Sequence, residues 1–139
     1  MVEVVLDGVL VGEKYPPYII GEVGHNHMGS MNEAKNLFHM AKFAGANAVK
    51  LQKRNNSILY TTDFYNSPYN SENSYGPTYG THREALEFNF DQYKELQFEA
   101  ASLGLSFFAT PFDLPSLDFL QRLNIPIYKI ASAGTQNPL

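Results

Sequence analysis

Three times in this chain a helical run stops at a residue suited to positive φ and passes directly into a β-prone segment. The junctions are Ala44-Gly45-Ala46, Leu103-Gly104-Leu105 and Leu123-Asn124-Ile125. Glycine, and asparagine after it, end helices because they tolerate left-handed backbone. A helix stop that feeds a buried strand, repeated, is the mark of an internal βα repeat, and right-handed crossovers make its sheet parallel. The predicted class is therefore α/β.

The remaining punctuation fits that plan. β-prone runs on either side of Asp7-Gly8 predict a hairpin, and Lys14-Tyr15-Pro16-Pro17 ends it, so residues 1–17 read as a hairpin and lead-in that lids or plugs the adjoining unit. Residues 18–23 are the first buried strand. Ser30 and Glu33 form a capping-box pattern that opens a helix over 31–44. Residues 48–53 form the second strand. Residues 54–88 turn to Asn, Ser, Tyr, Gly and Pro without periodicity, which reads as one long βα loop with a helical turn near 83–87. Asn89 with Gln92 caps the next helix, 105–110 is the third strand, Asp113 caps a third helix, and 125–132 is the fourth strand, with Pro126 at its start. Residues 18–139 thus form a second unit, an incomplete run of βα repeats.

Composition narrows the class of partner. Apolar residues make up 44% and charged residues 17% of the 139, enough for a packed core. A net charge of -4 argues against nucleic acid, whose binding needs a basic field. Cysteine is absent, so no disulfide framework or thiolate metal site is available. Neither a bilayer-length apolar run nor a signal-type leader is present, which makes a cytoplasmic protein without membrane contact the expectation.

Parallel sheets gather ligands at the carboxyl ends of their strands. Those ends carry Glu22 with Asn26 and His27, Lys50 with Gln52, Thr110, and Lys129 with Ser132. A lysine in an apolar strand is costly unless an anion meets it. Either lysine alone would more often snorkel or pair with a nearby acid; two at matching strand ends point to a multiply charged anion such as a phosphate compound. Glu22 reads equally as the structural partner of Lys50 or as an acid/base group. His25 and His27 would share a face on a strand and could bind metal there, but on a loop they read as hydrogen-bonded residues. The Tyr- and Asn-rich segment 65–79 is either a substrate clamp or solvated loop, the latter favoured.

These residues resemble the N-acetylneuraminate (sialic acid) synthase family. The likeness is carried by Ile20-Gly21-Glu22-Val23-Gly24 with Asn26-His27 and Gly29, by Val49-Lys50-Leu51-Gln52-Lys53, by Thr78-Tyr79-Gly80 with His82-Arg83, by Leu86-Glu87-Phe88, by Thr110-Pro111-Phe112, and by Ile125 through Ser132. The resemblance implies a TIM (β/α)8 barrel preceded by a short hairpin. It implies condensation of phosphoenolpyruvate with an N-acylated mannosamine-type sugar under manganese or magnesium, in a homodimer. Carried over, Lys50 and Lys129 hold phosphoenolpyruvate with help from Thr110 and Ser132, Gln52 and Asn26 face substrate, and Glu22 acts beside the reacting carbons.

Two departures shape the expectations. Ser132-Ala133-Gly134 stands where the family usually carries an acid, removing a sugar-contacting carboxylate. A full barrel has eight strands in about 250 residues, so the chain reads as an N-terminal piece truncated after about four strands, inactive alone and lacking the metal ligands. Its open edges predict self-association. The competing reading is a non-catalytic anion- or sugar-binding or assembly module.

Overall fold

Each helix stop does what the sequence asks of it. Gly45, Gly104 and Asn124 have φ of 84°, 65° and 52°, and each directly follows a helix C-cap: Ala44, Leu103 and Leu123. The computed structural model describes residues 2–136; residue 1 and residues 137–139, at the outer limits of the two predicted units, lie outside the described residues.

Strands β1 (Val4–Leu6) and β2 (Val9–Val11) pair antiparallel. Asp7 and Gly8 both take positive φ, as a two-residue turn of this hand requires. The Asp7 carboxylate accepts from the Ser106 hydroxyl at 2.7 Å, which ties the hairpin to the N-terminal end of the main sheet, away from the strand ends where ligands gather.

That sheet is β3 (Ile20–Gly24), β4 (Ala48–Lys53) and β5 (Ser106–Pro111), parallel and in that order. Helix α1 (Met31–Phe43) crosses from β3 to β4, with Ser30 accepting from the Glu33 N–H at 3.3 Å. Helix α5 (Phe90–Ser102) leads into β5, and both halves of its Asn89–Gln92 capping box are made. Helix α6 (Leu114–Arg122) follows β5, capped by Asp113 on the Ser116 N–H at 2.8 Å. Between the sheet and its helices lies the core: Phe38 of α1, Val49 and Leu51 of β4, Tyr93 and Leu96 of α5, Phe107 of β5 and Leu120 of α6 are buried. Alternation on β4 sends Val49 and Leu51 into that layer and turns Lys50 and Gln52 to the opposite face.

The loop at 54–88 is more ordered than its composition predicts. It contains three short helices, α2 (Asn56–Leu59), α3 (Thr62–Tyr65) and α4 (Tyr79–Glu84), the last held by a Thr78–Thr81 capping box. Tyr60, Phe64 and Tyr69 surround the Tyr79 ring at centroid distances of 4.6 to 5.5 Å. Aromatic packing thus replaces hydrophobic periodicity as the organising force, which a search for periodicity does not detect.

The predicted fourth strand is not formed. Of 125–132, only Tyr128 bridges Ala109, with the Lys129 N–H donating to the Ala109 carbonyl at 3.3 Å, and Ser132–Gly134 is a 3-10 turn. Pro126 has no N–H to give a ladder. Beyond partly buried Ile127 the segment has no cover, and Ile130 is 68% exposed.

At Gly45 no atom stands within 4 Å of a built Cβ, so Gly45→Ala introduces only backbone strain. It should lower unfolding free energy by about 1–2 kcal/mol in chemical denaturation, whereas Asn124→Gly should cost nothing.

Candidate functional site

Parallel register places Glu22 beside Lys50 and Gln52 beside Thr110 across three adjacent strands. Lys50 is 6% exposed. Its ammonium donates to the Glu22 carboxylate at 2.6 Å and to the Thr110 hydroxyl at 3.1 Å. The Glu22 side chain is itself 52% exposed, so the buried charge is neutralised by a carboxylate standing in solvent.

A cavity of about 330 Å3 opens there, and its walls include Glu22, Lys50, Gln52, Thr110, Lys129 and Ser132. Six of the seven residues expected at a site are therefore brought together. Although 125–132 is not a regular strand, its single bridge to β5 is enough to carry Lys129 and Ser132 to the rim. Lys129 Nζ donates to the Ile130 carbonyl at 2.7 Å and is otherwise exposed. Asn26 does not line this cavity; its side-chain amide donates to the Val23 carbonyl at 3.0 Å and braces the loop.

The two histidines of that loop are structural. His27 stacks on Phe88 with ring centroids 4.2 Å apart, and its Nδ1 accepts from the Gly29 N–H at 3.1 Å. Burial, with His25 beside it, pushes its imidazole down to about 4. A Cβ at Gly29 would collide with the Ala85 carbonyl oxygen, so only glycine lets the loop lie this close to the end of α4. Among the described residues no three His, Asp or Glu side chains gather as a metal-ligand set.

Next to the cavity is a charged cluster to which the sequence alone assigns no role. Glu87 accepts from Lys53 Nζ at 2.8 Å and faces His25 Nε2 at 3.5 Å. Burial alone would raise the Glu87 carboxyl; the bond with His25 and the Lys53 charge overcome this and hold it below the usual range. Arg54 and Arg83 both reach His25, at 3.3 Å and 3.1 Å, and Arg54 also donates to the Gln52 side-chain Oε1 at 2.6 Å. Burial depresses the His25 imidazole, assisted by the two guanidiniums and opposed by Glu87. With its proton on Nε2, His25 can accept from Arg83 at Nδ1 while facing Glu87. The one available sequence signal is the recurrence of charged residues in Lys53-Arg54 and His82-Arg83 around the long loop; tertiary structure alone brings them together.

Fold and site together define a parallel α/β protein that collects cations and hydroxyls at its strand ends around a solvent-open cavity. Residues 37–138 match the profile of the NeuB family. The mouse N-acetylneuraminate-9-phosphate synthase is 42% identical over 130 residues, 94% of this chain and 36% of the mouse protein. The N,N'-diacetyllegionaminic acid synthase of Campylobacter jejuni is 34% identical over 120 residues, 86% of this chain and 36% of that protein. Among solved structures, the N-acetylneuraminic acid (sialic acid) synthetase of Leptospira borgpetersenii superposes with a TM-score of 0.75 at 30% identity, covering 95% of this chain and 42% of that one. The chain belongs to the NeuB family, whose matched relatives include synthases of sialic acid and related sugar acids, and it spans 36% of the length of the mouse and Campylobacter relatives. No helix among the described residues is long and apolar enough to cross a membrane.

A buried neutral histidine makes stability pH-dependent. Unfolded His27 takes up a proton below about 6.5, while the folded imidazole resists until about 4. Stability is therefore complete above the unfolded value and falls as pH drops from 6.5 to 4, by roughly 3 kcal/mol at most. His25 and Glu87 act in the same direction. Thermal melts across that range should show the drop, and His27→Gln should flatten it.

Proposed function

We propose that this chain carries the phosphoenolpyruvate-holding part of a sugar-acid synthase site within a TIM-barrel framework. The observation that carries the reading is Lys50, buried and bridged to both Glu22 and Thr110, with Gln52, Lys129 and Ser132 around the same cavity. Phosphoenolpyruvate presents a carboxylate and a phosphate, and two preplaced ammonium groups suit an anion of that charge. Its arrival replaces Glu22 as the partner of Lys50, so the carboxylate is released next to the reacting carbons as a base or water-orienting group.

In the proposed reaction the methylene carbon of phosphoenolpyruvate attacks the aldehyde of an open-chain N-acylated mannosamine-type sugar. A carbon–carbon bond forms and the aldehyde oxygen takes a proton. Water then adds at the phosphate-bearing carbon, loses a proton, and the carbon–oxygen bond to phosphate breaks, leaving the keto acid and inorganic phosphate. Lys50 and Lys129 hold the anion, Thr110 and Ser132 supply hydroxyl donors, and Gln52 contacts the sugar. The described residues do not fit the divalent metal that the resemblance implies, since no ligand set is present among them, and no step is routed through it. The names of the aligned relatives include a 9-phosphate synthase and a legionaminic acid synthase, and the proposed steps are common to an acceptor with or without phosphate.

Gly134 favours a second reading, a non-catalytic anion- or sugar-binding module, because no acid stands there to meet the sugar. Two measurements separate them. Calorimetric titration of the chain with phosphoenolpyruvate should give saturable heat that Lys50→Met abolishes, and phosphate release by a full-length protein that contains it, with manganese and N-acetylmannosamine, reports turnover. Heat with turnover supports the synthase; heat without turnover leaves the binding module; no heat overturns both.

A further inference from the structure

Gln52 lines the Lys50 cavity, and a glutamine can show a ligand either of two edges. Its side-chain oxygen accepts hydrogen bonds and its amide nitrogen donates them, and a half-turn about the last bond exchanges the two. Arg54 decides which edge is free. Its guanidinium donates from Nη2 to Gln52 Oε1 at 2.6 Å. A guanidinium has donors only, so the oxygen is the one atom of that amide it can meet. Nε2 is thereby turned the other way, toward Gly24 of β3, where a built Cβ would lie 3.8 Å from it. The Tyr93 hydroxyl donates to the Gln52 backbone carbonyl at 3.1 Å, so the residue is held at both ends while Nε2 keeps no partner among the described residues.

Arg54 is itself fixed. It follows the last residue of β4, its backbone N–H donates to Glu87 Oε2 at 3.4 Å, and its guanidinium lies 3.8 Å from the Phe112 ring. Phe112 lines the cavity as Gln52 does, whereas Arg54 does not. The arginine thus stands behind two residues of the wall. The edge it leaves free matches the rest of that wall, where Lys50, Lys129, Thr110 and Ser132 also offer hydrogens and Glu22 is the one carboxylate among the described residues. We propose that Arg54 is a positioning residue: by occupying Oε1 of Gln52 it fixes that amide as a donor, with Nε2 directed at an acceptor oxygen of the open-chain sugar. The sugar contact rests on the synthase reading; the fixed amide rests on the contacts of Arg54. Holding the side chain in place before the ligand arrives removes an ordering cost, which is worth between about twofold and about tenfold in affinity. It also selects: a ligand group that can only donate meets a donor there and is disfavoured.

The test uses the 139-residue chain, isotope-labelled at nitrogen, with N-acetylmannosamine and phosphoenolpyruvate as probes. The Gln52 side-chain amide signal, identified as the one missing from Gln52→Leu, should show a heteronuclear NOE close to that of the β4 backbone. Arg54→Met should lower it to the range of exposed glutamines; an amide equally mobile, or equally rigid, in both proteins would overturn the assignment. Calorimetry then asks whether the arginine acts through the glutamine. Arg54→Met should weaken N-acetylmannosamine binding between about twofold and about tenfold in the parent chain and add nothing in Gln52→Leu. The same loss in both backgrounds would mean that Arg54 only supports the fold, and would overturn it. Gln52→Glu keeps an acceptor for Arg54 but has no donor, so it should lose the sugar as Gln52→Leu does; retained affinity would refute the donor role. Phosphoenolpyruvate binding without any binding of the sugar would sink the sugar contact and spare the synthase reading. Coupling between Arg54 and Gln52 without phosphoenolpyruvate binding would sustain the pairing and remove the synthase.

Discussion

A buried ammonium held by a carboxylate that itself stands in water is the constraint on which the rest of this site depends. Lys50 lies buried on the central strand of three, and its charge must be met there. Glu22 and Thr110 meet it only because parallel register brings the neighbouring strands alongside at that level. Register in turn depends on the helix stops at Gly45 and Gly104, whose left-handed residues return the chain to β4 and β5 at the right point. The site is thus a consequence of the βα repeat and not an addition to it.

The same logic explains what sequence could and could not reveal. Helix stops, caps and the strand at 48–53 are local chemistry, and Gly45, Asn89 and Asp113 can be read one at a time. Glu22, Lys50, Gln52 and Thr110 are legible because a parallel sheet presents its strand ends in order. The segment 125–132 has the composition of a strand, but pairing is a tertiary event that no local pattern contains; only its bridge at Tyr128 is realised. The fold inside 54–88 is hidden from a periodicity argument because tyrosine rings, not spaced aliphatics, hold it together.

His25 shows the limit most clearly. From sequence it is one of two histidines in a glycine loop, with a metal role among the options. In the fold it stands between two arginines and a glutamate, residues 54, 83 and 87, drawn from the two ends of the long loop, with Glu87 buried against Lys53. Nothing in the spacing of those residues announces a cluster. Burial then sets the chemistry: an imidazole kept neutral leaves the guanidiniums unsatisfied, and the electrostatic character of the region beside the cavity changes from mixed to cationic.

The central claim is that Glu22 holds a place at Lys50 that belongs to an anionic substrate. A crystal structure of the chain soaked with phosphoenolpyruvate tests it most directly. The account predicts an anionic oxygen within hydrogen-bond reach of Lys50 Nζ and Thr110 Oγ1, with the Glu22 carboxylate moved off the lysine. Phosphoenolpyruvate bound elsewhere, with the 2.6 Å Glu22–Lys50 pair intact, would contradict it.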